Sequence, residues 1–495
     1  MLPVLLLLAP AVTALLCRFA RPQQWPERIS AVGALFTAAL GVATAAQAFG
    51  AQPLHLFDDH LYLDALSGLL LLIVSLVGPA AALVSIDYMR HEVQEGTVTP
   101  PQLRWYFCWL HLSIFTMLAV PMANNLGILW AAVEGTTLMT AMLVGFYGRG
   151  ASLEAAWKYL FICTVGIAFA LFGVLLVYYA GQQVVAAQAN PLNWDTLQAV
   201  AGRLDPRVMR LCFVFVLIGF GTKAGLAPMH TWLPDAHSQA PSPVSALLSG
   251  ALLNCALYAI FRFHVLAAGA LGPNFSSHLL LVFGMLSVVI AVPFILVQHD
   301  LKRLLAYSSV EHIGIIALGV GIGGPLALFA AAFHMLNHAL TKAVLFFAAG
   351  RLGQHYGTLR LSRLRGAVQA APLAGGAMLL GGFAITGTPP FATFASEFGI
   401  ISAGFGGPTS SPWTIIASIV LLVALAFVFA GLLRHTIRLT LGNAPSRLKV
   451  DQGSTLLGAV LIVPILFLVM AEFWLPPPLA HALGQVALVL GGGGG

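Results

Sequence analysis

Apolar runs of 18 or more residues recur from one end of this chain to the other. Each is long enough to cross the hydrocarbon core of a bilayer as a helix. In lipid every backbone N–H and C=O must find a partner within the protein, so only helices or closed barrels can span. Strict polar–apolar alternation is absent from the sequence, which argues against a barrel. Of the 495 residues, 59% are hydrophobic and 8% charged, where soluble domains carry about 25% charge. At a mean hydropathy of +0.91, no soluble core could bury this much apolar surface. The expected fold is therefore an all-α polytopic membrane protein of about fourteen helices.

The expected spans are 1–20, 29–48, 62–86, 105–121, 124–146, 155–180, 209–228, 242–265, 277–297, 302–322, 325–350, 372–404, 412–433 and 453–475. In the first span the basic residues follow the apolar run, the order of an uncleaved helix rather than a secretory signal. Numbering the loops in order, odd loops hold 17 Lys and Arg: Arg18, Arg21, Arg28, Arg90, Arg104, Arg149, Lys158, Lys302, Arg303, Arg351, Arg360, Arg363, Arg365, Arg434, Arg438, Arg447 and Lys449. Even loops hold Arg203, Arg207, Arg210 and Arg262. By the positive-inside rule the odd loops face the cytoplasm and both termini face the periplasm. The pI of 9.2 thus reflects topology and not a nucleic-acid partner.

The five cysteines lie in apolar runs and form no C-x-x-C pair, so neither an iron–sulfur cluster nor a structural zinc is expected. Gly319-Val-Gly-Ile-Gly-Gly324 fits a dinucleotide fingerprint but follows a membrane helix instead of a strand, the wrong context for that function.

Proline interrupts the seventh span at Lys223-Ala-Gly-Leu-Ala-Pro-Met-His230 and the twelfth at Gly387-Thr-Pro-Pro-Phe391. Such breaks are tolerated in lipid only where protein or water re-satisfies the backbone. If the fourth to eighth and the ninth to thirteenth helices are two five-helix units, each breaks at its fourth helix, and the odd number inverts the second unit. Paired breaks in inverted repeats point to an ion path. The expected divisions are 1–104 (three helices), 105–265 (first repeat), 277–440 (second, inverted repeat) and 453–495 (terminal helix and tail).

Glu134, Lys223, Glu311, Lys342 and Glu397 fall inside spans. Left unpaired they would cost roughly 12–18 kcal/mol on insertion scales. They are either static pairs that staple the bundle or groups with a task. A thousandfold change in proton affinity is about 4 kcal/mol. Lifting one proton against about 150–200 mV costs about 3.5–4.6 kcal/mol. A lysine whose solvation is switched, such as Lys223, could thus load and release a pumped proton. His334, His338 and Lys342 are spaced i, i+4, i+8 and share one helical stripe. A proton relay, a polar packing seam and a zinc pair are the alternatives; zinc lacks an evident third ligand and base. Glu311 and His312 sit near the start of the tenth helix, as packing or as a relay end. His230 and His237 flank the first break and could serve an outlet, or His237 could cap a helix. His264 belongs to the far interface.

Gly221-Thr-Lys-Ala-Gly-Leu-Ala-Pro-Met-His-Thr-Trp-Leu-Pro-Asp-Ala-His237, with Ala240-Pro-Ser-Pro-Val-Ser-Ala-Leu-Leu248, resembles the signature of the antiporter-like membrane subunits. That superfamily spans respiratory complex I, membrane-bound [NiFe] hydrogenases and multisubunit cation/proton antiporters. Asp300-Leu-Lys-Arg-Leu-Leu-Ala-Tyr-Ser-Ser-Val310 and His334-Met-Leu-Asn-His-Ala-Leu-Thr-Lys-Ala343 are similar to its later motifs. The resemblance implies a fourteen-helix fold with inverted repeats and broken seventh and twelfth helices. It implies that Glu134 pairs with Lys223, that Lys342 is the lysine of the eleventh helix, that Glu397 is the terminal charged group, and that Lys158 is a further partner of Glu134. Many members carry a titratable residue on the eighth helix; here the stretch reads Leu253-Asn254-Cys255, which interrupts a side-chain relay unless water or His264 substitutes. Leu153-Glu-Ala-Ala-Trp-Lys-Tyr-Leu160, Asn254 and the short tail look most similar to component F of the hydrogenase-4 group.

The implied function is a proton-translocating subunit without cofactors of its own. Its partners would be other membrane subunits, peripheral iron–sulfur and NiFe subunits, and lipid. The competing readings are a subunit of a Na⁺/H⁺ or K⁺/H⁺ antiporter, the membrane subunit of a bicarbonate-uptake complex, and a structural anchor.

Overall fold

The chain is a multi-pass membrane protein, almost wholly helical. The computed structural model describes residues 1–492 apart from 22, 23, 51, 58, 187 and 447. Arg447 of the charge census and residues 493–495 of the tail therefore lie outside the described residues. Among those described, twelve helices are long and apolar enough to cross a bilayer. Two further stretches miss that measure for reasons that bear on function. Helix Gly324–Tyr356 has 33 residues but carries His334, Asn337, His338 and Lys342. Helices Pro372–Ile385 and Ala392–Gly406 are each short because the Pro389–Pro390 segment separates them.

The packing is that of a membrane bundle. On helix Pro412–Thr440 the bulky Leu422, Val423 and Phe427 point outward, while Ala417, Ser418, Ala424 and Gly431 face the neighbours. Lipid solvates large apolar groups as well as a core does, so helix association depends on small residues that permit close approach. Gly219 shows the tolerance: a Cβ there would lie 2.4 Å from the backbone nitrogen of Ala170 on helix Gly150–Gln182.

The bundle is not uniform. In helices Ser242–Leu271 and Leu301–Ile322 the most apolar windows are 100% and 94% buried, against 39% for Pro412–Thr440. Helices Ser242–Leu271 and Leu301–Ile322, the second of which carries Glu311 and His312, are thus enclosed by their neighbours.

Several expectations change. Leu54–Leu56 and Leu61–Leu63 form a small antiparallel hairpin in a loop. The tail beyond the last expected span forms another helix, Pro477–Leu490, packed on Gly324–Tyr356 and Ala65–Gln94. At 14 residues it falls below the length by which spans are recognised. Arg262, counted as a loop residue, lies inside helix Ser242–Leu271 and is buried against Asp64 at 2.6 Å. Lys302, also counted in a loop, is buried in the first turn of helix Leu301–Ile322 and donates to the Ala240 carbonyl.

Candidate proton-carrying site

The two helix breaks organise the site. Helix Pro206–Ala224 ends on Gly225, whose left-handed backbone (φ +78°) a side chain would strain. The chain turns through Pro228 and resumes as helix Trp232–Gln239. The freed backbone groups find partners on other segments: Trp232 Nε1 donates to the Thr222 carbonyl at 2.8 Å, and the Ala227 N–H donates to Ser287 Oγ at 2.9 Å. At the second break, Asn337 donates to the Ala392 carbonyl (2.9 Å), Thr393 to Ala384, and His312 Nε2 to Ile385 (3.0 Å). Side chains thus replace the missing hydrogen bonds, as a low-dielectric setting requires.

Lys223 is the last basic residue before the first break and is fully buried. Its ammonium donates to Thr137 Oγ1 at 2.8 Å and to Tyr159 Oη at 2.5 Å. Thr137 in turn donates to Glu134 at 3.1 Å, and Thr164 donates to the other carboxylate oxygen at 3.0 Å. Among the described residues Glu134 and Lys223 make no direct ion pair; a hydroxyl joins them. Glu134 is only half-buried, and Thr164 is exposed on the outer face.

Lys158 does not join this group. It pairs with Glu154 at 2.6 Å and Asp235 at 3.4 Å, where Arg303 also reaches Asp235. Glu134 meets its helix at Thr164, six residues on, which is about 9 Å farther along the axis and on another face. The resemblance-based pairing fails for that geometric reason.

The second cluster surrounds the second break. Lys342 donates to the Leu305 carbonyl at 2.7 Å and to Ser308 Oγ. Glu311 lies one turn beyond Ser308, buried, and interacts with Lys342 through space. It is at the middle of its helix, not near the start: the helix begins at Leu301, capped by Asp300, which puts Glu311 about 15 Å in. His312 Nδ1 lies 2.8 Å from His334 Nε2, and the His312 ring stacks over His338 with centroids 5.4 Å apart. His334 Nδ1 contacts Ser396 Oγ at 2.9 Å. Glu397 Oε1 lies 4.0 Å from His312 Nδ1 and has no hydrogen-bond partner among the described residues. The stripe of His334, His338 and Lys342 is therefore buried among polar groups of two other helices, Leu301–Ile322 and Ala392–Gly406.

His237 stands between the clusters. It is fully buried, stacks on Phe346 at 5.1 Å, and interacts through space with Lys302 and Lys342. Neither of its ring nitrogens, nor either of those of His338, has a protein partner among the described residues. Buried polar atoms of this kind are satisfied by water. Asn254 donates to Gly250 on its own helix, next to the wide turn Leu248–Leu252, and adds no titratable group. His230 is buried near Tyr307, with ring centroids 6.3 Å apart, and His264 is buried near Phe213; neither joins a cluster.

Sequence reasoning overlooked Thr137, Tyr159, Ser308 and Ser396, because hydroxyls are unremarkable in apolar helices until a charge is seen beside them. It also overlooked the Asp64–Arg262 pair. Arg262 donates to both oxygens of Asp64 at 2.6 Å and lies over Trp194, 4.2 Å from the ring centre. A charge near a span end gives no sign in sequence of whether it faces water or protein.

The family profile described as NADH:quinone oxidoreductase/Mrp antiporter, TM, matches residues 123–439. The chain is 42% identical over 342 residues to the hydrogenase-4 component F homolog of Methylacidiphilum infernorum, covering 69% of this chain and 72% of that one. It is 32% identical over 374 residues to NADH-quinone oxidoreductase subunit N of Desulforudis audaxviator, covering 75% and 71%. Its fold matches a chain of respiratory complex I from Thermus thermophilus with a TM-score of 0.82 at 23% identity, covering 100% of both chains.

Proposed function

The chain belongs to the NADH:quinone oxidoreductase/Mrp antiporter family of membrane subunits, and on that footing we propose that it carries protons across the bilayer as the cofactor-free subunit of a complex I-like or hydrogenase-4-like redox-driven pump. The observation that carries this reading is the placement of buried and half-buried titratable groups at both helix breaks. Glu134, Thr137 and Lys223 form one hydrogen-bonded set. Lys342, Glu311, His338, His312, His334 and Glu397 form the other. Static staples would pair each charge directly, yet Glu134, Lys223, Lys342 and Glu397 are each held by hydroxyls, carbonyls or through-space neighbours. Groups so held can change protonation state without unzipping a salt bridge.

In this reading the fourth to eighth and ninth to thirteenth of fourteen crossing helices are inverted repeats, each with one break. Protons enter from the side of the odd loops. There a polar cavity of about 470 Å³ is lined by Glu92, Glu95, Tyr147 and Lys302. From it the proposed route runs by way of Lys302 and His237 to Lys342. The termini face the periplasm of a bacterial inner membrane. Electrons pass through partner subunits that carry iron–sulfur clusters and a nickel–iron site.

The test is the intact complex, purified with its partners and reconstituted in vesicles. Redox turnover should drive proton uptake in the wild type. In Lys223→Met the complex should assemble while proton movement is lost. Retained pumping in that variant overturns the reading, and transport that depends on Na⁺ instead favours an antiporter subunit.

A further inference from the structure

His312 and His334 face each other through Nδ1 and Nε2 at 2.8 Å, and their outer nitrogens decide which atom carries a proton. His312 Nε2 meets a carbonyl, that of Ile385, at 3.0 Å. A carbonyl only accepts, so Nε2 bears the hydrogen, and Nδ1 of a neutral ring presents a lone pair to His334. His334 Nδ1 meets the Ser396 hydroxyl at 2.9 Å. That hydroxyl has one hydrogen and claims on it from two sides: on its own helix it lies 2.8 Å from the Thr393 carbonyl and 3.2 Å from the Ala392 carbonyl, and across from them 2.9 Å from His334.

Each choice fixes a different state of the pair. If Ser396 donates to His334 Nδ1, then His334 Nε2 carries the hydrogen and donates to His312. The result is a neutral, one-directional chain from Ser396 through both rings to Ile385. If Ser396 turns to Thr393, it accepts from His334 Nδ1–H. Both facing nitrogens would then present lone pairs at 2.8 Å, a contact that holds only with one added proton between them.

From this geometry we infer that Ser396 is a positioning residue whose hydroxyl rotation sets whether the His312–His334 pair is neutral or shares one extra proton. The inference rests on the proton-carrying function proposed above and deepens it. Several titratable groups border the pair. Glu397 Oε1, otherwise without a partner among the described residues, is 4.0 Å from His312 Nδ1. His338 stacks on the pair from helix Gly324–Tyr356, Lys342 lies two turns beyond His334 along that helix, and Glu311 precedes His312 on helix Leu301–Ile322. Asn337 Nδ2 also approaches Ser396 Oγ, at 3.5 Å. The hydroxyl thus faces a donor, two backbone carbonyls and the ring, and can serve either state by a single rotation. No atom other than hydrogen moves between the two states.

The test compares Ser396→Thr with Ser396→Val in the reconstituted complex. The two replacements share a shape and differ only in the hydroxyl, so a packing role moves both alike. Redox-driven proton uptake should persist in Ser396→Thr and fall at least about tenfold in Ser396→Val, the scale of a lost hydrogen bond to a charged group. Infrared difference spectra with isotope-labelled histidine should show an imidazolium band on turnover in the wild type and Ser396→Thr. The band should be absent in Ser396→Val and in His312→Asn. Equal uptake in the Thr and Val variants overturns the inference while leaving proton transport standing; a wild type that moves no protons overturns the proposed function itself. A stoichiometric metal in the purified complex, lost in His312→Asn, also overturns the inference, since an ion would then occupy the space assigned to the proton.

Discussion

Lys223 and Glu134 are joined through a single hydroxyl: Thr137 accepts from the lysine at 2.8 Å and donates to the carboxylate at 3.1 Å. The arrangement couples two charges without fusing them into an ion pair. It leaves the ammonium a second partner in Tyr159 and keeps Glu134 half-buried toward the outer face.

Thr137→Val keeps the shape of the side chain and removes the link. Proton uptake in the reconstituted complex should fall at least about tenfold, and Thr137→Ser should restore most of it. Equal rates in the Val and Ser variants would show that the hydroxyl carries no proton traffic.

Gly387 is held at φ +60°, and a Cβ on it would lie 1.9 Å from Glu397 Oε2. Gly387→Ala therefore both strains the backbone and pushes the carboxylate from its place beside His312. The expected outcome is an assembled complex with impaired proton uptake and a displaced Glu397 side chain in its density map. A variant that pumps normally with Glu397 unmoved would contradict this.

Asp64 and Arg262 are buried and bidentate, and Asp64 also caps helix Ala65–Gln94 by accepting from Ser67 N–H at 2.9 Å. Removing one partner strands the other charge, so Arg262→Leu should lower stability by about 3–5 kcal/mol. Adding Asp64→Asn should recover part of that loss, because the stranded charge is then gone and asparagine can still cap. Thermal unfolding of the solubilised complex measures both.

Asp451 ties the loop before helix Thr455–Phe473 to Arg351 through contacts of 2.6 and 2.7 Å. Burial alone would push its carboxyl up, but hydrogen bonds from Arg351 and the Gly453 N–H, with the guanidinium charge, outweigh it and hold the group below the usual carboxylate range. A depressed carboxylate stabilises the fold above its unfolded value, about 3.9, and that contribution is lost as pH falls through the folded value. The pair is partly solvated, so its worth is at most about 1 kcal/mol. Asp451→Asn should accordingly melt slightly below the wild type at neutral pH, with the gap closing below about pH 4. A gap that widens in acid would reverse the assignment.

The helical class, the membrane setting and the two breaks were legible in the sequence because each follows from local rules. An apolar run of sufficient length has one stable form in lipid, and the two breaks stand where glycine and proline come together, at Gly225-Leu-Ala-Pro228 and Gly387-Thr-Pro-Pro390, whereas lone prolines such as Pro79 and Pro464 stay inside continuous helices. The intramembrane charges stood out for the same reason: Lys223, Lys342, Glu311 and Glu397 are costly against any hydrocarbon background. The partners of those charges were not legible. Thr137 and Ser396 acquire meaning only when helices far apart in sequence bring Lys223 and His334 to within hydrogen-bond distance.

Residues at span ends were the other blind spot. Arg262 and Lys302 read as loop charges, and the close packing of helix Ser242–Leu271 and of the Ala240 segment draws both inside. The sequence by itself determined that this chain crosses the membrane many times and that titratable groups sit within it, since burial in lipid penalises them regardless of neighbours. Only the tertiary structure decided which groups share a hydrogen bond, because such bonds depend on distances of a few tenths of an ångström between segments that no local rule relates.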